Sequence, residues 1–390
     1  MNADKNETAV RPFRVEISES ALDDLRSRLR TARFPEPLPG DDWHDGVPVA
    51  VLQDLVARWG RHDWRATEER LNALPQIVTR IDGQTIHAVH VRSPHPDATP
   101  ILLMHGWPGS FLEFEGLIGP LTDPVAHGGD AADAFDVIIP SHPGFGFSTP
   151  LEDAGWTIER TARAFLELMS RLGYDRFAVQ GGDHGAAVAP ELARLAPERV
   201  IGVHVNGSLG GSFLGELDEE TAAGLTPLEK DRLRRVAEFM QREFGYIAIQ
   251  GTRPGLIGAM TADSPVAQFA WIYDKLQAWT HPAERDAVDV LGERFVFDNA
   301  SLYWFTASGG SSAALVYALN TAWEAPKPSS GVPTAVIAFA HDIGLRFAEE
   351  QHHRIVRWTD VEDRGGHFAA MEEPQLLTDD IRAFFGSLRG

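Results

Sequence analysis

One pentapeptide constrains this chain more than any other feature: Gly181-Gly182-Asp183-His184-Gly185. It follows the apolar run 177–180 and opens an alanine-rich stretch. An apolar strand, a tight glycine turn and a helix form a nucleophile elbow, which holds its central side chain out at the top of a sheet. Small residues are needed two before and two after the centre, because the turn is strained and its flanks pack closely. The central residue here is Asp183 where such turns usually carry Ser. A carboxylate in that place attacks an sp³ carbon bearing a leaving group and forms an alkyl ester. Asp also favours helix N-caps, so the pentapeptide alone leaves a plain capping role open.

The surrounding pattern predicts α/β architecture, with an open, mostly parallel sheet and helices on both faces. Candidate strands are 84–92, 101–104, 136–139, 177–180, 202–205, 335–339 and 355–358. Most are near-continuous apolar runs, as in parallel strands buried on both sides. Helical stretches at 158–172 and 188–195 fit right-handed crossovers. Residues 1–10 are polar and expected to fray, and a short strand near Phe13 leads to a helix bearing Leu22, Leu25 and Leu29. An extended loop over 35–45 and helices over 49–60 and 64–73 follow. Between Asn206 and Pro333 the alternation gives way to helices at 226–243, 265–278, 299–307 and 311–320. Such an insertion over the carboxyl ends of the strands would form a lid. The expected organisation is an N-terminal region over 1–95, the first core part over 96–206, a helical lid over 207–332 and the second core part over 333–390.

Three further signals complete a constellation. His105-Gly106-Trp107-Pro108 follows a strand and can aim the Trp107 N–H at the sheet top, where the His184 N–H would complete an oxyanion hole. Gly365-Gly366-His367-Phe368 supplies the histidine that this scaffold needs last in chain order. Asp342, just past strand 335–339, is the choice for the acid that orients it. Glu349, Glu350 and Asp360 compete for that role but read as solvated element ends. Each signal alone has an ordinary structural explanation, and together they follow the order oxyanion loop, nucleophile, acid, histidine.

Composition removes whole classes. The chain of 390 residues has no cysteine, which excludes disulfides, thiolate metal sites and a cysteine nucleophile. A net charge of −21 disfavours nucleic acid and anionic membrane surfaces as partners. The N-terminal residues lack the apolar segment of a signal peptide, so a cytoplasmic location is expected. The adjacent His352-His353 and the loose set Asp41, Asp42 and His44 are poor metal ligands. The glycine-rich stretches 207–215 and 251–258 lack a phosphate-binding context. No cofactor is expected.

At this point the chain resembles the microsomal-type epoxide hydrolases of the α/β-hydrolase superfamily. The resemblance runs through Pro12-Phe13, Arg33-Phe34-Pro35, Asp63-Trp64-Arg65 and Leu71-Asn72-Ala73-Leu74-Pro75-Gln76. It continues through His105-Gly106-Trp107-Pro108-Gly109-Ser110, Glu113-Phe114, Pro143-Gly144-Phe145-Gly146-Phe147-Ser148 and His367-Phe368-Ala369-Ala370-Met371-Glu372-Glu373-Pro374. It implies two lid tyrosines that hydrogen-bond an epoxide oxygen. Tyr246, in Gly245-Tyr246-Ile247-Ala248-Ile249-Gln250, matches the first. The second position falls on Val316, after Tyr303-Trp304 and Ser311-Ser312, and Tyr317 stands one residue beyond. A one-residue shift would bring Tyr317 in; otherwise the site runs on Tyr246 with less help. His184 stands where Trp is common, and Asp342 where Glu is common. The resemblance implies hydrolysis of an epoxide to a vicinal diol through an Asp183 ester, with water activated by His367. The expected partners are a small-molecule epoxide and water, with a homodimer as the symmetric default. A haloalkane dehalogenase using the same Asp is the alternative, and a non-catalytic protein on this fold is a second. A serine esterase is excluded, because Ser110 and Ser148 fall outside the elbow.

Overall fold

The computed structural model describes residues 9–40, 42–210, 219–321 and 327–389. The expected frayed residues 1–8, Asp41 and part of the glycine-rich stretch 207–215 lie outside them. Among the described residues nine strands form one sheet: β1 Arg11–Pro12, β2 Gln76–Ile81, β3 Gln84–Val91, β4 Thr99–Met104, β5 Phe135–Pro140, β6 Phe177–Gly181, β7 Val200–Asn206, β8 Pro333–Ala338 and β9 Arg354–Asp360. Their spatial order is β1-β2-β3-β5-β4-β6-β7-β8-β9. Strands β1 to β3 pair antiparallel, and β3 joins β5 antiparallel. From β5 to β9 every pairing is parallel. The sheet is therefore mostly parallel, as its apolar runs predict. β2 is an addition to the expected set; its mixed polar and apolar residues lie second from one edge of the sheet, inside β1, and the Asp82-Gly83 turn, with both residues at positive φ, returns it as a hairpin to β3.

The apolar runs are explained by burial on two sides. Along β4, Ile101 and Leu103 enter one core, while Leu102 and Met104 enter the other. That is the period-two alternation of a strand with both faces covered. The helices Ile158–Arg171 and His184–Leu195 cover one face. The C-terminal helix Pro374–Ser387 and the N-terminal helices Glu19–Arg30, Val49–Trp59 and Trp64–Asn72 belong to the other core.

Between β7 and β8 the chain is helical, as expected, with more segments than the periodicity indicates. Gly245–Gln250 and Pro254–Asp263 are short helices outside the predicted set, and Glu293–Phe305 starts six residues ahead of the expected 299. Gly and Pro break the apolar periodicity there without ending the helical path. The N-terminal helices anchor this insertion. Trp59 Nε1 donates to Ser301 Oγ at 2.8 Å, and the buried carboxylate of Asp298 meets His62 Nε2 at 2.9 Å and Arg70. The Trp59 ring stacks on Phe269 at 5.5 Å. The polar contacts hold the helix Glu293–Phe305, and the Trp59–Phe269 stack braces the helix Pro265–Trp279, whose last residue reaches the site.

Candidate active site

The order of the parallel strands reverses between β4 and β6, and a crevice opens there beyond their carboxyl ends. Four loops meet at that edge. The loop after β4 brings Trp107, the turn after β6 brings Asp183, the loop after β8 brings Asp342, and the loop beyond β9 brings His367.

Asp183 has φ +52° and ψ −119°, a strained conformation for a residue with a Cβ. It makes no side-chain cap to the helix behind it, so the capping role does not apply. The turn survives because its neighbours lack side chains. A Cβ on Gly185 would lie 2.1 Å from the Met104 carbonyl oxygen, and one on Gly106 would lie 2.1 Å from Asp183 Oδ1. Trp107 N–H donates to Asp183 Oδ1 at 2.9 Å, and the His184 backbone N–H also serves the carboxylate. Both N–H groups expected of an oxyanion hole thus meet this carboxylate. Burial alone would favour the neutral acid. The neighbouring His184 and His367, with the two N–H groups, outweigh it and hold Asp183 below its usual range.

His367 Nε2 lies 3.7 Å from Asp183 Oδ2. Its backbone N–H bonds the Trp279 carbonyl at 3.0 Å, and its ring rests against Trp279 and Phe368, both at 5.0 Å. Burial lowers its pKa, Asp183 opposes that, and His184 adds to it. The ring is therefore neutral at pH 7, the state a general base needs.

Asp342 lines the same cavity as Asp183 and His367 but does not hydrogen-bond His367. Its Oδ2 accepts from the Phe339 N–H at 2.7 Å, folding the short side chain back over the end of its own strand. Burial pushes it up to about 7, against the Phe339 N–H and the charges of Arg232 and Arg235. The competitors are accounted for differently. Asp360 pairs with Arg232 at 2.7 Å and Glu350 with Arg346 at 2.7 Å. Glu349 is not solvated as expected; it is buried and accepts from Ser208 Oγ at 2.8 Å and Leu209 N–H at 3.1 Å.

The inserted helices supply the roof. Tyr246 stacks on Trp107 at 4.9 Å between ring centres and packs beside Trp279 at 5.3 Å. Burial raises its pKa well above the ordinary value, and the charges of Asp183 and Glu243 add to this, so the hydroxyl stays protonated. Asp183, His367, Asp342, Tyr246 and Trp279 share a cavity of about 610 Å³. That space suits a bulky organic substrate.

These features match known proteins along nearly the whole chain. Residues 10–114 match the epoxide hydrolase N terminus family, and residues 99–251 match the alpha/beta hydrolase fold. A putative epoxide hydrolase of Stigmatella aurantiaca is 44% identical over 97% of this chain and 86% of that protein. Epoxide hydrolase 1 of Sus scrofa is 35% identical over 97% of this chain and 89% of that protein. The solved juvenile hormone epoxide hydrolase of the silkworm Bombyx mori superposes with a TM-score of 0.86 at 29% identity, covering 100% of this chain and 97% of that one. The chain belongs to the microsomal-type epoxide hydrolase family. It is an enzyme of the α/β-hydrolase fold.

Within this family frame, the second tyrosine departs from expectation. Tyr317 is 44% exposed and does not line the cavity, so no one-residue shift brings it in. The helix Ser308–Thr321 instead buries Val316, and adjacent residues on a helix point about 100° apart. The tyrosine near Asp183 that residue spacing did not single out is Tyr303. It is buried, donates to the Gly109 carbonyl at 2.9 Å, and has its pKa raised by burial, Glu113 and Asp183.

Glu113 is a second residue that spacing did not single out. It lines a rear cavity of about 10 Å³ with Asp183, His367, Gly106 and Asn206, space for about one water. Burial pushes its carboxyl up to about 8, with Asp183 adding to the rise and the Ser110 N–H opposing it. The available signal was an acid within the apolar run Phe111-Leu112-Glu113-Phe114, directly behind the oxyanion loop. Among the described residues no group of three His, Asp or Glu could hold a metal ion, and no helix is long and apolar enough to cross a membrane.

Proposed function

We propose that this enzyme converts an epoxide to a vicinal diol through a covalent ester on Asp183. The observation that carries this reading is a single cavity in which the ionised Asp183, neutral His367 and protonated Tyr246 face one another. Asp183 Oδ2 attacks an epoxide carbon; the new C–O bond forms as the ring C–O bond breaks. The ring oxygen takes the Tyr246 proton. Forming the ester removes the Asp183 charge that opposes ionisation of Tyr246, so the phenol becomes a stronger acid as its proton is needed.

Water held in the rear cavity beside Glu113 then attacks Asp183 Cγ as His367 Nε2 takes its proton. The N–H groups of Trp107 and His184 receive the oxyanion. Asp342 stabilises the imidazolium form of His367 after leaving its own strand end. Tyr246 alone supplies the acid, with Tyr317 outside the site. The helices between β7 and β8 act as the lid, and residues 1–95 brace it through Trp59 and Asp298.

The test is diol formation from a panel of aryl and alkyl epoxides, with intact-mass detection of the alkyl-enzyme and a parallel halide-release assay. Asp183→Asn is expected to reduce turnover by at least ~10⁴-fold and to form no adduct by the wild-type route. Halide release without diol would move the enzyme to the dehalogenases, and diol formation at wild-type rate by Asp183→Asn would remove the ester.

A further inference from the structure

The nucleophile lies between two imidazoles, and the mechanism above uses the side chain of only one. His367 Nε2 is 3.7 Å from Asp183 Oδ2, while His184 Nε2 is 3.6 Å from Asp183 Oδ1. The two oxygens have different fates. Oδ1 takes the Trp107 N–H at 2.9 Å, so it stays in the oxyanion hole as Oδ2 attacks. We infer that the His184 side chain is a third donor of the oxyanion hole, acting on Asp183 Oδ1 while the ester is hydrolysed. This rests on the covalent mechanism proposed above and assigns one further residue within it.

Several observations converge on this role. His184 is the first residue of the helix behind the elbow, so its ring position is tied to the nucleophile's own turn. Its side chain is 11% exposed, with the Phe145 ring at 6.2 Å, so water competes weakly for its N–H. The other titratable groups coupled to it are His105, His142, His367 and Asp183. Burial keeps His105 and His142 neutral at pH 7, leaving Asp183 as the anion this ring faces.

The chemistry then selects one step. In hydrolysis the water oxygen bonds to Cγ, one water proton goes to His367, and the carbonyl electron pair moves onto Oδ1. Collapse restores the carbonyl, breaks the Cγ–O bond to the diol, and passes the His367 proton to the departing oxygen. The carboxylic acid left on Asp183 returns the proton that restores Tyr246. Negative charge on Oδ1 is small in the ester and large in the intermediate. An N–H that closes from 3.6 Å onto that oxygen therefore strengthens between ground and transition state, which is the condition for catalysis. In alkylation the charge on Asp183 falls instead, so the same N–H gives no help there.

Single-turnover measurements separate the two steps. In His184→Phe, hydrolysis of the alkyl-enzyme is expected to slow about tenfold while alkylation stays within about twofold, so kcat falls and kcat/KM holds. His184→Gln keeps a side-chain N–H and is expected to hydrolyse the ester faster than His184→Phe. Thermal melts of both variants check that the elbow still folds. Unchanged ester hydrolysis in His184→Phe, a parallel fall in both steps, or equal rates in the two variants would overturn the role. An ester that forms normally and hydrolyses at one rate in all three proteins would overturn this inference alone. No ester in the wild type would overturn the covalent mechanism with it.

Discussion

The elbow at the end of β6 and the helices between β7 and β8 face each other across one cavity, and they hold their chemical groups by different means. Asp183 is fixed by backbone: a strained turn, two N–H donors and glycines whose Cβ atoms would collide with Met104 or with Asp183 itself. Tyr246 is fixed by packing: a stacked Trp107, a neighbouring Trp279 and a helix of six residues. Backbone constraint tolerates almost no change of residue, whereas packing tolerates a range of apolar partners. The fixed half of the site is therefore written in short motifs, and the packed half is spread over residues far apart in sequence.

After the loss of Asp183 itself, the largest expected effect tests the packed half. Tyr246→Phe keeps the ring on Trp107 and removes only the hydroxyl. Single-turnover alkylation is expected to fall roughly 10²-fold, with ester hydrolysis little changed. A fall in hydrolysis alone would place Tyr246 outside the ring-opening step. The steps would then not divide between the two halves as the contrast requires.

Asp342→Asn comes next. Asp342 belongs to the backbone half by position, yet its carboxylate bonds Phe339 N–H and not His367. A held hydrogen bond to the base would make the loss very large, as in serine-protease triads. Here a decrease of about tenfold in ester hydrolysis is expected, since Asp342 meets the base only after His367 gains a proton. A loss of ~10⁴-fold would show that the acid holds His367 throughout the cycle.

The same division explains what the sequence made legible. The sheet and the meeting of Trp107, Asp183 and His367 at its end were readable because each lies beyond an apolar strand, and the turn chemistry allows few alternatives. Tyr246 was readable only through a family resemblance; nothing in its own spacing distinguishes it from a packing residue. The expectation for Tyr317 failed because a one-residue step on a helix turns a side chain by about 100°. The helix Ser308–Thr321 places Val316 inside and Tyr317 at the surface. Asp342 reached the right cavity, but its hydrogen bond depends on a loop conformation that no residue pattern encodes. Glu113 stands in the Glu113-Phe114 pair that carries the family resemblance, and only the fold brings it beside Asp183.

Glu113 sharpens the comparison through stability. Burial holds its carboxyl at about 8, so between about pH 4.5 and 8 the folded chain keeps a proton that the unfolded chain gives up. The folded state loses stability from this group as pH rises through that window, and below it there is no penalty. Glu113→Gln has the shape of the neutral acid and cannot ionise. It is expected to melt close to wild type at pH 5 and several degrees higher at pH 8.5. Equal differences at both pH values would mean that Glu113 does not carry a raised pKa.

The smallest expected effect falls on Tyr317. Its side chain is 44% exposed on a helix whose inward face carries Ala313, Leu315 and Val316. Removing a hydroxyl from an exposed ring changes neither the cavity lining nor the charge around Asp183. Tyr317→Phe is expected to keep alkylation and hydrolysis within about twofold of wild type, with a melting temperature to match. The reverse exchange is more informative. Val316→Tyr points a phenol inward from the position where the family resemblance expects one. If alkylation is limited by having one acid, Val316→Tyr should raise it, and more so when Tyr246→Phe has removed the native donor. Rescue of Tyr246→Phe by Val316→Tyr would show that the packed half of the site accepts its proton donor from either helix. No rescue would mean that the stack on Trp107 sets the hydroxyl's direction as tightly as the backbone sets Asp183, and the contrast between the two halves would narrow to one of sequence legibility.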